Sequence, residues 1–176
     1  MDLTMPAMAS DELAVRLASN PWYASLPPRE RRALVAGSER FKLRSGEMLF
    51  RQGDAVDAGR GAFYGLIDGH LKVSTLREDG KEAILVVLEA GNWFGEISLI
   101  DQQPRTHDAT ALGEAEVLAL PRRAFDALMK RPAFALAVCR MLAARLRKSA
   151  ALSKARNRAM RPTMSHLTWR MRASSR

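Results

Sequence analysis

Glu96 and Arg105, near the middle of the chain, are two residues whose types and spacing suggest a chemical role. Arg105 follows Glu96 by nine residues and comes directly after Pro104. An arginine guanidinium pairs bidentately with phosphate oxygens, and a glutamate carboxylate accepts hydrogen bonds from hydroxyl groups. A ribose that carries a phosphate presents both kinds of group. The pair therefore indicates a small sugar–phosphate site. The alternative is a solvated glutamate and arginine that flank an ordinary turn.

The residues around Glu96 could add backbone groups to such a site. Gly95 permits a tight turn out of a strand. Residues 96–100 read Glu-Ile-Ser-Leu-Ile, which is enough for one helical turn but too short for a long helix. The first N–H groups of a helical turn have no intrahelical partners and favour an anion. A carboxylate, a helix N-terminus and a guanidinium could therefore face one small pocket.

A β-rich region must position these groups. Between residues 41 and 120, short apolar runs alternate with glycine-containing turns. The turns recur about every 8–12 residues, the spacing of strands in all-β domains. Asp79-Gly80 stands between two of the runs and predicts a hairpin. The pattern indicates a sandwich, barrel or jelly roll. Its predicted strands include 48–50, 62–67, 71–74, 83–88 and 116–120.

Helices are predicted on both sides of this region. Before it, a capped helix begins at Ser10, and a second helix begins with Pro28 and ends at Gly37. After it, a two-turn helix follows Pro121, and a longer helix begins near Ala133. On that longer helix, 3–4 spacing defines one stripe, in which the cysteine is predicted to be a buried structural thiol. The stripe consists of Cys139, Leu142, Leu146 and Ser149.

The segment from Phe94 to Ala111 resembles the phosphate-binding cassette of cyclic nucleotide-binding domains, and the Glu96-to-Arg105 spacing is kept. Segments 43–54, 64–73 and 78–82 resemble other blocks of that family in order and spacing. Segment 20–27 is similar to the lead-in of bacterial regulators of the CRP/FNR type. The resemblance covers about residues 12–155. The matching cassette residues are Phe94, Gly95, Glu96, Ile97, Ser98, Leu99, Pro104, Arg105, Thr106 and Ala111.

The resemblance implies a mainly β fold of the α+β class, an eight-stranded β-roll or jelly roll with short helices before it and a long C-terminal helix after it. Glu96 would take the ribose 2′-OH and Arg105 the cyclic phosphate, with Thr106 assisting. Ser149 occupies the position whose hydroxyl reaches the purine in members that bind cyclic AMP. The implied ligand is a cyclic nucleotide, cyclic AMP in preference to cyclic GMP, without a metal. The implied ligand-binding residues are Gly95, Glu96, Ile97, Ser98, Arg105, Thr106 and Ser149.

Two cassette positions depart from the family pattern. His107 stands where a small alanine is usual, and Asp108 stands where an uncharged residue is usual. A carboxylate near a phosphate costs a few kcal/mol if it is buried and close, and little if it points outward. The orientation of Asp108 therefore bears directly on the ligand site.

The net charge of +9 is unevenly distributed along the chain. Residues 140–176 contain 11 basic residues and no acidic residue, whereas the other 139 residues carry a net charge of −2. The basic excess is thus weak support for nucleic-acid binding by the β region. The sequence divides into N-terminal helices at 1–40, the roll at 41–121, two helices with the dimer seam at 122–158, and a basic, disordered tail at 159–176.

Several function classes are disfavoured by composition. One cysteine and three distant histidines offer neither an intramolecular disulfide nor a zinc-binding spacing. His70 and His107 lie 37 residues apart, so a metal-dependent enzyme on a related jelly roll is disfavoured, and we expect no enzymatic activity. The sequence contains no apolar run of about 20 residues and no secretory signal, which predicts a cytoplasmic protein.

About 20 residues follow Arg156, too few for the winged helix-turn-helix domain expected in a CRP/FNR regulator. Three hypotheses follow. The chain is the cyclic-nucleotide-sensing half of a regulator whose DNA-binding half is truncated or lost. Alternatively, it is a stand-alone or degenerate sensor that acts through a protein partner. In the third hypothesis, the basic tail of the chain binds nucleic acid non-specifically. Under each hypothesis we expect a homodimer formed through the C-terminal helix, and we expect no association with a membrane.

Overall fold

A computed structural model describes residues 10–55, 63–77 and 79–159. The chain divides into two compact units, residues 1–137 and 138–176. The described helices are α1 (Ser10–Ala18), α2 (Pro21–Ser25), α3 (Pro28–Ala36), α4 (Glu96–Asp101), α5 (Arg122–Met129) and α6 (Pro132–Ala159). The described strands are β1 (Glu39–Leu43), β2 (Met48–Phe50), β3 (Phe63–Asp68), β4 (His70–Leu76), β5 (Glu82–Glu89), β6 (Trp93–Phe94), β7 (Asp108–Ala111) and β8 (Ala115–Leu120).

Within the described residues, the strands form two four-stranded sheets. One sheet has the order β1-β8-β3-β6 and the other the order β2-β7-β4-β5, and neighbouring strands are antiparallel. Buried side chains from both sheets meet in one core, which includes Leu66, Leu71, Leu88, Ala109 and Val117. The predicted eight-stranded roll, with short helices before it and a long helix after it, is confirmed.

The predicted hairpin is the pair β4–β5, whose register runs from His70 opposite Glu89 to Leu76 opposite Glu82. Gly80 in its turn has φ +75°, a conformation that glycine adopts without a steric penalty. The roll begins at Glu39, two residues before the predicted position. Ala62 and residues 160–176 of the predicted basic tail at 159–176 lie outside the described residues, whereas Ala159 is the last residue of α6.

The prediction that the Cys139 thiol of α6 is buried is wrong. Cys139 is exposed, and Leu146 of the same stripe has 72% of its surface accessible. The helical period was visible in the sequence, but the phase of the buried face depends on what the helix packs against. Among the α6 side chains that the structure describes, up to Lys154, the buried ones are Phe134, Ala137, Val138 and Met141.

Aromatic packing connects the N-terminal helices to the strand that leads into the cassette. The Trp22 ring on α2 lies 5.7 Å from the rings of both Phe63 and Trp93. Its indole N–H donates a hydrogen bond to the Ala137 carbonyl at 2.8 Å. Tyr23 stacks on Trp93 with a centroid distance of 5.7 Å. Trp93 is therefore held from several sides, two residues before Gly95.

This packing leaves no room beside Gly65 on β3. A Cβ at Gly65 would lie 2.9 Å from the buried Trp93 ring. We expect Gly65→Ala to lower the free energy of unfolding by about 1–3 kcal/mol, the usual effect of overpacking. Urea unfolding measures the change. Gly113→Ala is the control, since a Cβ there meets nothing within 4 Å. Equal stability of the two variants would contradict the prediction.

None of the helices within residues 10–55, 63–77 and 79–159 is long and apolar enough to cross a membrane.

Candidate functional site

Gly95 turns the chain out of β6 and directly into α4. Its backbone has φ +92° and ψ 6°, a left-handed conformation that strongly favours glycine. Glu96 is the first residue of α4, and its side chain is fully buried. The carboxylate predicted from the sequence therefore lies inside the protein rather than on a solvated turn.

The Arg105 side chain is also buried, with 4% of its surface exposed, and it reaches back to this turn. Its Nη1 donates a hydrogen bond to the Gly95 carbonyl at 2.8 Å. Burial lowers the pKa of the guanidinium, whereas nearby Tyr64, Glu96 and Asp54 oppose the shift. Arginine nevertheless stays protonated in proteins. The structure thus brings together the two charged residues that the sequence singled out.

Two aromatic rings that were not predicted as site residues lie against the guanidinium. The Arg105 Cζ lies 4.6 Å from the Phe50 ring centroid and 5.5 Å from that of Tyr64. Tyr64 in turn stacks on Phe94 at 5.5 Å. Burial raises the pKa of Tyr64, and Arg105 opposes this effect. The rings restrict the guanidinium and attract its charge through their π faces.

Hydrogen bonds hold the backbone of Arg105 on both sides of its α-carbon. Gly53 N donates to the Arg105 carbonyl, and Arg105 N donates to the Asp54 carbonyl, both at 2.8 Å. The arginine therefore has fixed contacts at its backbone as well as at its guanidinium.

The other residues predicted for the site differ in exposure. Ser98 is buried, and its hydroxyl donates to the Pro104 carbonyl at 3.3 Å. Ile97 is 44% exposed. Thr106 is exposed, with its hydroxyl 2.8 Å from Nδ1 of His107. Ser149 is exposed on α6 in the second compact unit.

Side chains along β7 point alternately into and out of the roll, and this alternation sets the orientation of Asp108. Ala109 and Ala111 are buried in the roll core, whereas Asp108 and Thr110 are half-buried on the opposite face of the strand. The Asp108 Oδ1 accepts a hydrogen bond from the backbone N–H of Gln52 at 2.8 Å. The carboxylate therefore points away from the roll interior, the orientation with the smaller electrostatic cost.

Burial lowers the pKa of the His107 imidazole, and the Asp108 carboxylate opposes this shift. The unfolded chain therefore binds the proton more readily, so stability is lost as the pH falls through the folded pKa. We expect the free energy of unfolding to fall more for the wild type than for His107→Gln between about pH 7.5 and about pH 5. Urea unfolding at both pH values measures this difference. Parallel losses would contradict the prediction.

In the part of the chain that the structure describes, no group of three or more histidine, cysteine, aspartate or glutamate side chains could hold a metal ion.

Comparison with known proteins places this geometry in a family. Residues 40–132 match the family model described as "Cyclic nucleotide-binding domain". The chain is 31% identical over 105 residues to a CRP-like cAMP-activated global transcriptional regulator of Mycobacterium tuberculosis. This alignment covers 59% of this chain and 45% of that protein. The chain is also 31% identical over 134 residues to the cyclic AMP receptor protein of Thermus thermophilus. That alignment covers 76% of this chain and 60% of the relative.

The fold is similar to the crystal structure of the Thermus thermophilus catabolite activator protein, with a TM-score of 0.68 and 30% identity. That match covers 78% of this chain and 63% of the solved one. The chain thus spans about half of the length of the relatives that it matches. Because the matched family model spans more than half of the chain and includes both Glu96 and Arg105, the chain belongs to the cyclic nucleotide-binding domain family.

Proposed function

We propose that the roll binds a cyclic nucleotide, with Arg105 pairing the phosphate and Glu96 accepting a hydrogen bond from the ribose 2′-OH. The observation that carries the proposal is that the Glu96 and Arg105 side chains are both buried at the turn of Gly95, whose carbonyl accepts a hydrogen bond from Arg105. Charged groups lose much hydration energy on burial, so an arrangement of this kind is expected where a ligand supplies complementary groups. The protein acts in this proposal by binding and not by catalysis.

The remaining predicted residues complete the ligand contacts in this proposal. The backbone N–H groups around Gly95, including those of Ile97 and Ser98, assist Arg105 at the phosphate. The exposed Thr106 hydroxyl can rotate from His107 towards a phosphate oxygen. Ser149 on α6 supplies a hydroxyl for the purine. Cyclic AMP is favoured over cyclic GMP, because the relatives named above are described as cAMP-activated or as a cyclic AMP receptor.

We further propose that ligand binding controls a homodimer formed through α6, in the sensor part of a cytoplasmic transcriptional regulator. Cys139 and Leu146 lie on one stripe of this helix and are both exposed, and an uncovered apolar stripe suits a partner helix. A ligand that binds one arrangement of the dimer better shifts the population towards it. The transcriptional role is supported by the name of the Mycobacterium tuberculosis relative.

Isothermal titration calorimetry of the full chain with cyclic AMP and cyclic GMP tests the binding proposal. We expect a saturable heat with a stoichiometry near one nucleotide per chain. The affinity is expected to be higher for cyclic AMP than for cyclic GMP. Adenosine is the control, because it has the base and ribose but no phosphate for Arg105. Absence of heat with both cyclic nucleotides would reject the proposal and favour a domain that retains only the fold.

A further inference from the structure

Asp108 is the charged residue that departs from the cassette pattern, and its carboxylate has a defined partner. The Asp108 Oδ1 accepts from Gln52 N at 2.8 Å, a contact between residues 56 positions apart in the sequence. Gln52 belongs to the turn formed by residues 51–54, which follows β2. Asp108 therefore fixes one end of this turn to β7.

The same turn holds the backbone of Arg105. Gly53 N donates to Arg105 O, and Arg105 N donates to Asp54 O, each at 2.8 Å. The turn is also closed internally, since Arg51 N donates to Asp54 Oδ2 at 2.8 Å. Because both backbone polar groups of Arg105 are bonded to this turn, a displacement of the turn moves the base of the guanidinium side chain.

Gln52 also attaches the turn to the β4–β5 hairpin. Its Oε1 accepts from the Thr75 hydroxyl at 2.8 Å and from Leu76 N at 3.4 Å. The turn is thus held through Gln52 at two points, by Asp108 at the backbone and by the hairpin at the side chain. Asp108 follows Arg105 by three residues, so the segment 105–108 and the turn 51–54 form a closed set of contacts.

We propose that Asp108 is a positioning residue of the ligand site, which acts through Gln52 and the turn 51–54 on the backbone of Arg105. The inference rests on the proposed function, because it concerns the arginine assigned to the phosphate. Bidentate pairing needs the guanidinium within about 0.5 Å of one geometry. Loosening the backbone of Arg105 therefore lowers ligand affinity although the charge of Arg105 remains.

A direct electrostatic effect of Asp108 on the ligand would have the opposite sign. Removing a carboxylate near a phosphate removes repulsion and tightens binding. Removing a positioning hydrogen bond weakens binding. The sign of the change in affinity therefore separates the two roles.

Calorimetric titration of the full chain with cyclic AMP compares the wild type with Asp108→Ala, Asp108→Asn and Asp79→Ala. Asp79 is the matched control, since its Oδ1 also accepts from a backbone N–H, that of Lys81 at 3.1 Å in the hairpin turn. We expect roughly tenfold weaker binding for Asp108→Ala, the lower end of the loss seen when a hydrogen bond that orients a metal ligand is removed. Asp108→Asn retains an accepting oxygen and is expected within about twofold of the wild type, as is Asp79→Ala.

Amide hydrogen exchange of the ligand-free proteins supplies a readout that needs no ligand. Asp108→Ala is expected to speed exchange at the Gly53 and Arg105 amides, and Asp108→Asn is expected to restore the wild-type rates. Unchanged or tighter binding by Asp108→Ala, or failure of Asp108→Asn to rescue, would overturn the positioning role while the proposed function stands. Absence of heat with the wild type would instead reject the proposed function, and the positioning role with it.

Discussion

Replacing Arg105 by alanine is expected to weaken the binding of cyclic AMP at least about 100-fold. Each hydrogen bond to a charged group contributes about 1.5–3 kcal/mol, and a guanidinium can make two to a phosphate. The contacts of Arg105 with Gly95, Phe50 and Tyr64 hold the side chain in place before the ligand arrives. Little of the binding energy is therefore spent on ordering it.

Calorimetric titration of Arg105→Ala and Arg105→Lys measures this effect. Lysine retains the charge but lacks the planar fork, so we expect its affinity to fall between those of the wild type and the alanine variant. Arg77→Ala is the control, since Arg77 is an exposed arginine next to the hairpin turn. Circular dichroism confirms that each variant is folded. An Arg105→Ala affinity within about threefold of the wild type would remove Arg105 from the phosphate site.

Replacing Glu96 by alanine is expected to weaken cyclic AMP binding about 10- to 100-fold, the value of one charge-assisted hydrogen bond from the ribose 2′-OH. The buried carboxylate has no bulk water to compete for the hydroxyl, which strengthens this hydrogen bond. The same variant is expected to bind 2′-deoxy cyclic AMP about as well as the wild type does, because that ligand lacks the hydroxyl.

The two ligands and two proteins form a cycle that isolates the contact between Glu96 and the ribose. The wild type should prefer cyclic AMP over its 2′-deoxy analogue, and Glu96→Ala should lose this preference. Glu89→Ala is a control in an exposed position of β5 and should retain it. If Glu96→Ala binds both ligands less tightly by the same factor, Glu96 has only a structural role.

The charged pair of the candidate site was predictable because its signal is local. Gly95, Glu96 and Arg105 lie within one short segment, and a glycine before a short helix is itself a turn signal. The hairpin at Asp79-Gly80 was predictable for the same reason. The contacts of Phe50 and Tyr64 with Arg105 were not predictable, because these residues come from other strands and reach Arg105 only through the pairing and curvature of the roll.

The orientation of Asp108 and the phase of α6 show which signals need tertiary structure. Residues 108–111 read Asp-Ala-Thr-Ala, and the alternation of a strand places Asp108 and Thr110 on one face, but the sequence left open whether that face is turned towards the ligand or away from it. For α6, the apolar residues allowed more than one buried face. Cys139 was assigned to the wrong face because the sequence does not specify the packing partner of the helix.

A crystal structure of the protein grown with saturating cyclic AMP tests directly whether Arg105 and Glu96 bind the nucleotide. We expect the nucleotide inside the roll, with its phosphate oxygens within hydrogen-bond distance of the Arg105 guanidinium and its ribose 2′-hydroxyl donating to the Glu96 carboxylate. A nucleotide bound elsewhere on the chain, or a roll without nucleotide at saturating concentration, would contradict it.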